Sequence, residues 1–244
     1  MLIDGHLHLT QKDIDNNILD IMAINNIYGL VVGTNPVEWR WLQEIANKNE
    51  HILPTYGLHP WYSDKYHLDE LVPYLHNIIL MGEIGMDSIW CDIDLKEQKK
   101  VFTAQMDLAE EKKCPVILHT KGQEKEIAEI IQDYTMPILV HWYSCEEFLD
   151  LYIKRDCYFT IGPDVRINKA VQQVVKKVPL NRIFVESDGI SALEWVKGRK
   201  LEARELPINL IDTMKYISIE KGVSFIKVKE QMIKNLANYM SNSI

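Results

Sequence analysis

Short runs dominated by Val, Ile and Leu recur along this chain, separated by stretches whose apolar residues fall at helical spacing. Continuous apolar runs without polar alternation are what strands of a parallel sheet buried on both faces require. The first is Met1-Leu2-Ile3-Asp4-Gly5-His6-Leu7-His8-Leu9, and further runs fall at 29–34, 52–58, 78–85, 115–119, 137–141, 158–161 and 182–188. Helical spacing fills 14–26, 36–46, 69–76, 94–113, 126–134, 146–154 and 169–177, with two more helices expected within 206–239. Pro36 stands at a helix start, where its missing N–H does no harm. Eight β/α units predict an α/β fold, a (β/α)8 TIM barrel with additional C-terminal helices, and exclude an antiparallel sandwich. The 244 residues, 47% of them hydrophobic, suffice for a single domain over 1–244.

Nothing in the first nine residues resembles a secretory signal, because an Asp and two His interrupt the apolar run and no basic segment precedes it. No later apolar run approaches membrane-spanning length, so the expectation is a cytoplasmic protein without membrane contact. Cys91, Cys114, Cys145 and Cys157 are scattered without a CxxC pair, which predicts reduced thiols, with Cys145 read as a small buried residue. A formal net charge of -8 argues against a broad basic surface for duplex nucleic acid. It leaves a phosphodiester substrate open, since a site loaded with divalent cations is locally positive whatever the total charge.

In a β/α barrel the reactive groups stand at the C-terminal ends of the strands. Those ends here carry His6 and His8, His59, Glu83, His119, His141 and Asp188. Alternate residues of a strand share a face, so His6 and His8 offer their imidazoles to one cation, with Asp4 on the same face. With His59 set aside as a substrate or supporting residue, the other four histidines, Glu83 and Asp188 form an N/O ligand set suited to a pair of divalent ions, which Glu83 can bridge. Glu83 also lies inside an apolar run, where an unpaired carboxylate is costly. Trp61, Trp142 and Tyr143 stand close to strand-end histidines, either to stack on bases or simply to pack. His51, His67 and His76 fall outside the pattern and are expected at the surface.

The succession Asp4-Gly5-His6-Leu7-His8, Gly57-Leu58-His59-Pro60, Gly82-Glu83-Ile84-Gly85-Met86-Asp87, Pro115-Val116-Ile117-Leu118-His119, His141 and Glu186-Ser187-Asp188 resembles the TatD family of metal-dependent deoxyribonucleases, in the amidohydrolase superfamily. Gln98, Phe102, Gln105, Leu108-Ala109, Pro179-Leu180-Asn181-Arg182 and Asn235 extend the resemblance over nearly the whole chain. It implies that His6, His8 and Asp188 hold one metal and His119 and His141 another, with Glu83 between them. The ions would be Mg2+, Mn2+ or Zn2+. Departures concern the lining. His119-Thr120-Lys121 replaces His-Ser-Arg, His141-Trp142-Tyr143-Ser144-Cys145 replaces His-Cys-Phe-x-Gly, and Glu186-Ser187-Asp188-Gly189-Ile190 replaces Glu-Thr-Asp-Ala-Pro. Lys121 becomes a candidate phosphate contact.

The activity this implies is hydrolysis of phosphodiester bonds at single-stranded DNA ends, of 3′–5′ exonuclease type, by metal-activated water with Asp188 and Glu83 as the catalytic carboxylates. Two other readings stay open: a small-molecule amidohydrolase or phosphoesterase on the same scaffold, and a subunit of a larger complex whose activity needs a protein partner. The sequence does not set the oligomeric state.

Overall fold

In the computed structural model the described residues are 1–76 and 78–241. Eight strands form one sheet in sequence order, every neighbouring pair parallel. They are β1 (Leu2–Leu7), β2 (Ile27–Gly33), β3 (Ile52–Tyr56), β4 (Met81–Asp87), β5 (Val116–Lys121), β6 (Ile138–Val140), β7 (Tyr158–Ile161) and β8 (Ile183–Val185). The seam between last and first strand is closed just beyond β8, where the Asp188 N–H donates to the His6 carbonyl at 3.1 Å. Asp4, fully buried in β1, accepts from the Ser187 N–H at 2.9 Å and from its hydroxyl at 2.5 Å. The result is a TIM barrel.

The helices alternate with the strands: α1 (Gln11–Asp15), α2 (Ile18–Ile24), α3 (Pro36–Ala46), α4 (Leu95–Lys112), α5 (Glu124–Ile130), α6 (Leu149–Lys154), α7 (Lys169–Lys177), α8 (Ile190–Lys197), α9 (Leu206–Glu220) and α10 (Phe225–Met240). α3 follows its sequence signals closely. Asn35 accepts from the Val37 and Glu38 N–H groups and Pro36 occupies the first turn. The expected helix at 14–26 is broken in two, because Asn17 takes a left-handed conformation between α1 and α2. The expected helix at 69–76 is a 3₁₀ stretch, Leu68–Tyr74, with Pro73 inside it. α8 lies where no helix is expected from the sequence. Among the described residues no helix is long and apolar enough to cross a membrane.

Two apolar layers follow. Between strands and helices lies the larger, with Trp39, Phe102, Met106, Tyr152 and Val174 fully or almost fully buried. Inside the barrel, Ile3, Leu30, Ile117, Leu139, Tyr158 and Phe184 meet Tyr239 from α10. The Tyr239 hydroxyl donates to the Val116 carbonyl at 2.6 Å, at the start of β5, so α10 plugs the N-terminal face. Buried Asn235 fastens the same helix, its amide donating to the carbonyls of Leu180 at 2.9 Å and Ile183 at 2.8 Å. With that end filled, the open space lies at the C-terminal ends of the strands.

Candidate metal centre

Glu83 sits in mid-β4 and points into the upper barrel, 1% exposed. Its neighbour strand comes unusually close, because a Cβ on Gly85 would lie 2.0 Å from the His119 carbonyl oxygen. That approach brings His119 of β5 against Glu83, with Nδ1 2.6 Å from Oε1. The same oxygen lies 2.8 Å from His141 Nε2 and 3.6 Å from His59 Nε2. The other oxygen, Oε2, faces different nitrogens, His6 Nε2 at 3.4 Å and His8 Nε2 at 3.3 Å. Asp188 Oδ1 lies 3.4 Å from His6 Nε2 and 3.5 Å from His8 Nε2.

The chain leaves its strands abruptly at two of these positions. Asp188 has φ 57° and Trp142, directly after His141, has φ 33°. Such conformations cluster at functional sites, where surrounding structure over-determines them. Supporting carboxylates stand behind the ligands. Asp87 Oδ2 lies 2.9 Å from His119 Nε2, leaving Nδ1 for an ion, and Glu186 Oε2 lies 3.6 Å from His141 Nδ1.

These groups shift one another's proton affinities. Burial alone would raise Glu83, but the ring of His141, His59, His6 and His119 outweighs it and holds the carboxyl well below its usual range. Burial would lower His6, yet Glu83 and Asp188 overcome it and raise the imidazole well above its usual value. His119 is likewise raised against burial, by Glu83 and Asp87. For His59 burial wins, and its pKa falls to about 4. Asp188 is lowered, its burial outweighed by His6 and His8. Burial raises Asp4 to about 7, above what its bonds to Ser187 restore.

The donor set fits a divalent metal centre. His6 and His8 point Nε2 atoms at each other across 3.2 Å, an arrangement suited to a shared cation. Three donor triples have ligand atoms within 4.8 Å of one another: His6 with Glu83 and His141, His6 with His8 and Asp188, and His59 with Glu83 and His119. Among the described residues, buried Glu83 Oε2, Asp188 Oδ1, His6 Nδ1 and His141 Nδ1 lack a hydrogen-bond partner. Orphaned buried polar atoms are rare and ask for an explanation. A cation supplies it for the two carboxylate oxygens.

The six residues expected as ligands from the sequence converge here, and His59, set aside there, adjoins them as a further donor. A cavity of about 830 Å³ opens above, lined among others by Lys121, Trp142, Cys145 and Trp195. Lys121 donates to the Trp142 carbonyl at 3.0 Å and to the Ser144 hydroxyl at 2.8 Å. Trp142 donates its indole N–H to Asp164 at 2.8 Å. Tyr143 points elsewhere. Fully buried, it packs on Tyr152 and Phe159 and donates its hydroxyl to the Glu147 carbonyl, so it has no face for a substrate. Cys145, expected to be buried, is half-buried in the cavity wall. His67 and His76 are exposed as expected, while His51 is half-buried against Tyr28.

Asp87, Glu186, Trp90 and Trp195 also belong to the site, though the sequence alone gives them no role. The signal for the two carboxylates was there, since each follows or precedes a ligand within a strand-end motif. Trp90 and Trp195 carry no such mark.

Barrel and donor cluster together define a metal-dependent hydrolase. Residues 3–241 match the family described as TatD related DNase, and the chain belongs to that family. It is 24% identical over 258 residues to the human deoxyribonuclease TATDN3, covering 96% of this chain and 92% of that protein. An uncharacterized metal-dependent hydrolase of Methanocaldococcus jannaschii is 25% identical over 257 residues, covering 99% of this chain and 98% of the other. The crystal structure of YJJV, a TatD homolog of Escherichia coli K12, superposes with a TM-score of 0.85 at 19% identity, covering 98% of this chain and 97% of that one. At that identity the likeness carries the fold.

Proposed function

We propose that the chain is a deoxyribonuclease that removes nucleotides from single-stranded DNA ends in the 3′–5′ direction, acting in the cytoplasm with two divalent ions. The observation that carries the reading is the division of Glu83, whose Oε1 faces His119 and His141 while Oε2 faces His6 and His8. His6, His8 and Asp188 with Oε2 would hold one ion, and His119 and His141 with Oε1 the other. When bound, divalent ions of this kind lower the pKa of water and offset charge on the phosphoryl oxygens.

The protein's own groups do the rest. Asp188, at the cavity's edge, takes the proton from the attacking water. Asp87 fixes the ring of His119 through Nε2, and Glu186 faces that of His141. Lys121 moves from its carbonyl and hydroxyl partners to a substrate phosphate, and Trp142 and His59 shape the cavity floor.

Digestion of a 5′-labelled single-stranded oligonucleotide with Mg2+ or Mn2+, against a chelated control, tests this. Stepwise shortening from the 3′ end, absent in Asp188→Asn, is the expected result. No cleavage by metal-loaded protein overturns it. The second reading, a phosphoesterase for small molecules, is favoured by one observation: Lys121 is the one Lys or Arg among the cavity's described lining residues.

A further inference from the structure

Four of the chain's six tryptophans line the cavity above the donor cluster. Three of them face water, Trp61 at 45% exposure, Trp90 at 63% and Trp195 at 68%. Single exposed apolar residues are ordinary, but large aromatics gathered at the rim of a site mark a binding surface. They also stand on two sides. Trp61 and Trp90 follow β3 and β4, whereas Trp195 belongs to α8 beyond β8, about half a turn round an eight-stranded barrel.

Each wall has one indole anchored by a buried carboxylate, Trp61 on one side and Trp142 on the other. Buried Asp87 accepts from the Trp61 indole N–H at 2.7 Å with one oxygen and from the Ile89 and Trp90 backbone N–H groups at 2.7 and 2.8 Å with the other. The oxygen that binds Trp61 also holds His119, so this wall and a candidate ligand share one anchor. Across the mouth, Trp195 meets the edge of Trp142 with ring centroids 6.3 Å apart. Trp142 is fixed by Asp164, and a Cβ on Gly162 would lie 2.5 Å from its indole nitrogen. Rigid aromatic surfaces lose little conformational entropy on binding.

The charges facing this space are wrong for a phosphate track. Glu38, Glu124 and Asp164 join the lining, and Lys121, the one Lys or Arg among its described residues, is engaged with Trp142 and Ser144. Proteins that bind single strands combine a cationic groove along the phosphates with aromatic faces on which bases stack, and here the aromatic component is present while the cationic one is nearly missing among the described lining residues.

We propose that this site grips its substrate through the nucleobases, which stack on Trp90 and Trp195 at opposite walls of the mouth, and not through the phosphate backbone. The proposal rests on the nuclease reading for the identity of the substrate, and deepens it.

The test pairs steady-state kinetics on a single-stranded oligonucleotide with quenching of tryptophan fluorescence by a thymidine dinucleotide in metal-free protein. Trp90→Ala and Trp195→Ala, both at exposed positions, should each raise KM about tenfold with kcat within about twofold, and the Phe variants should restore KM. The slope of log KM against log salt should lie near 0.7, the value for about one phosphate contact to a single strand, against about 4 for a six-contact track. Unchanged KM in the Ala variants together with a steep salt slope overturns the stacking grip while leaving the nuclease reading intact. Quenching that is lost in the Ala variants, without cleavage by metal-loaded protein, supports the aromatic subsite and discards the nuclease. Neither quenching nor cleavage overturns both.

Discussion

The two ends of this barrel are built from the same eight strands and obey opposite rules. At the N-terminal face Tyr239 enters fully buried, packs on Tyr158 and Phe184, and places its only polar atom on a carbonyl. Asn235 beside it has both ends of its amide bonded. At the C-terminal face Glu83, Asp188, His6 and His141 bury atoms with no hydrogen-bond partner among the described residues, and Glu186 buries both its oxygens so. Each unsatisfied buried group costs about 1–3 kcal/mol. One end is arranged for stability, and the other holds destabilising polarity in readiness for cations. The contrast predicts that changes at the two ends separate cleanly into folding effects and activity effects.

The largest expected effect is on turnover. Glu83→Gln and Asp188→Asn should each lower kcat at least ~10^3-fold, with circular dichroism unchanged, because each removes a charge that the centre needs and leaves the apolar plug intact. A variant that unfolds instead would show that the two ends are not separable. Tyr239→Ala is the mirror experiment. It should cost about 3–5 kcal/mol in urea unfolding, as large aromatic truncations do, while activity per folded molecule stays within about twofold. Loss of activity in the folded fraction would break the comparison.

Metal removal reads the upper end from the side of stability. Divalent ions at about a hundredfold above Kd should raise unfolding free energy by about 2.7 kcal/mol for each site filled, an increment that a chelator abolishes. Asp188→Asn should shrink that increment and Tyr239→Phe leave it alone. Asp87→Asn, which slackens the hold on His119, should reduce metal affinity or activity about 10–100-fold. The smallest effect is expected from Tyr239→Phe, about 1 kcal/mol for one hydroxyl whose carbonyl partner stays buried.

Much of this contrast was legible in the chain. Buried parallel strands leave continuous apolar runs, so all eight appear in sequence. Ionisable residues at the ends of such runs have few structural uses, which is why His6, His8, Glu83, His119, His141 and Asp188 stood out. What failed was side-chain direction beyond the strand ends. The twofold alternation stops at Val140, Trp142 then takes a positive φ, and Tyr143 is turned into the outer core and away from the cavity. His59 lies three residues past the end of β3, where the turn into Pro60 sets its aim. Asp87 and Glu186 are visible in the strand-end motifs, but the histidines that give them their roles stand in other strands. α8 is short and opens on Gly189 without a side-chain cap, so it left no start signal.

The seam between Asp4 and Ser187 has a consequence in time. Residues separated by 183 positions meet there, and His6 and His8 on one side of it need Asp188 from the other. During synthesis the first two histidines leave the ribosome long before their carboxylate exists, and the half-made chain holds an imidazole pair with no Asp188 beside it. The donor triple of His6, His8 and Asp188 is therefore assembled late, with the closing of the ring, after the His59, Glu83 and His119 triple has already been synthesised.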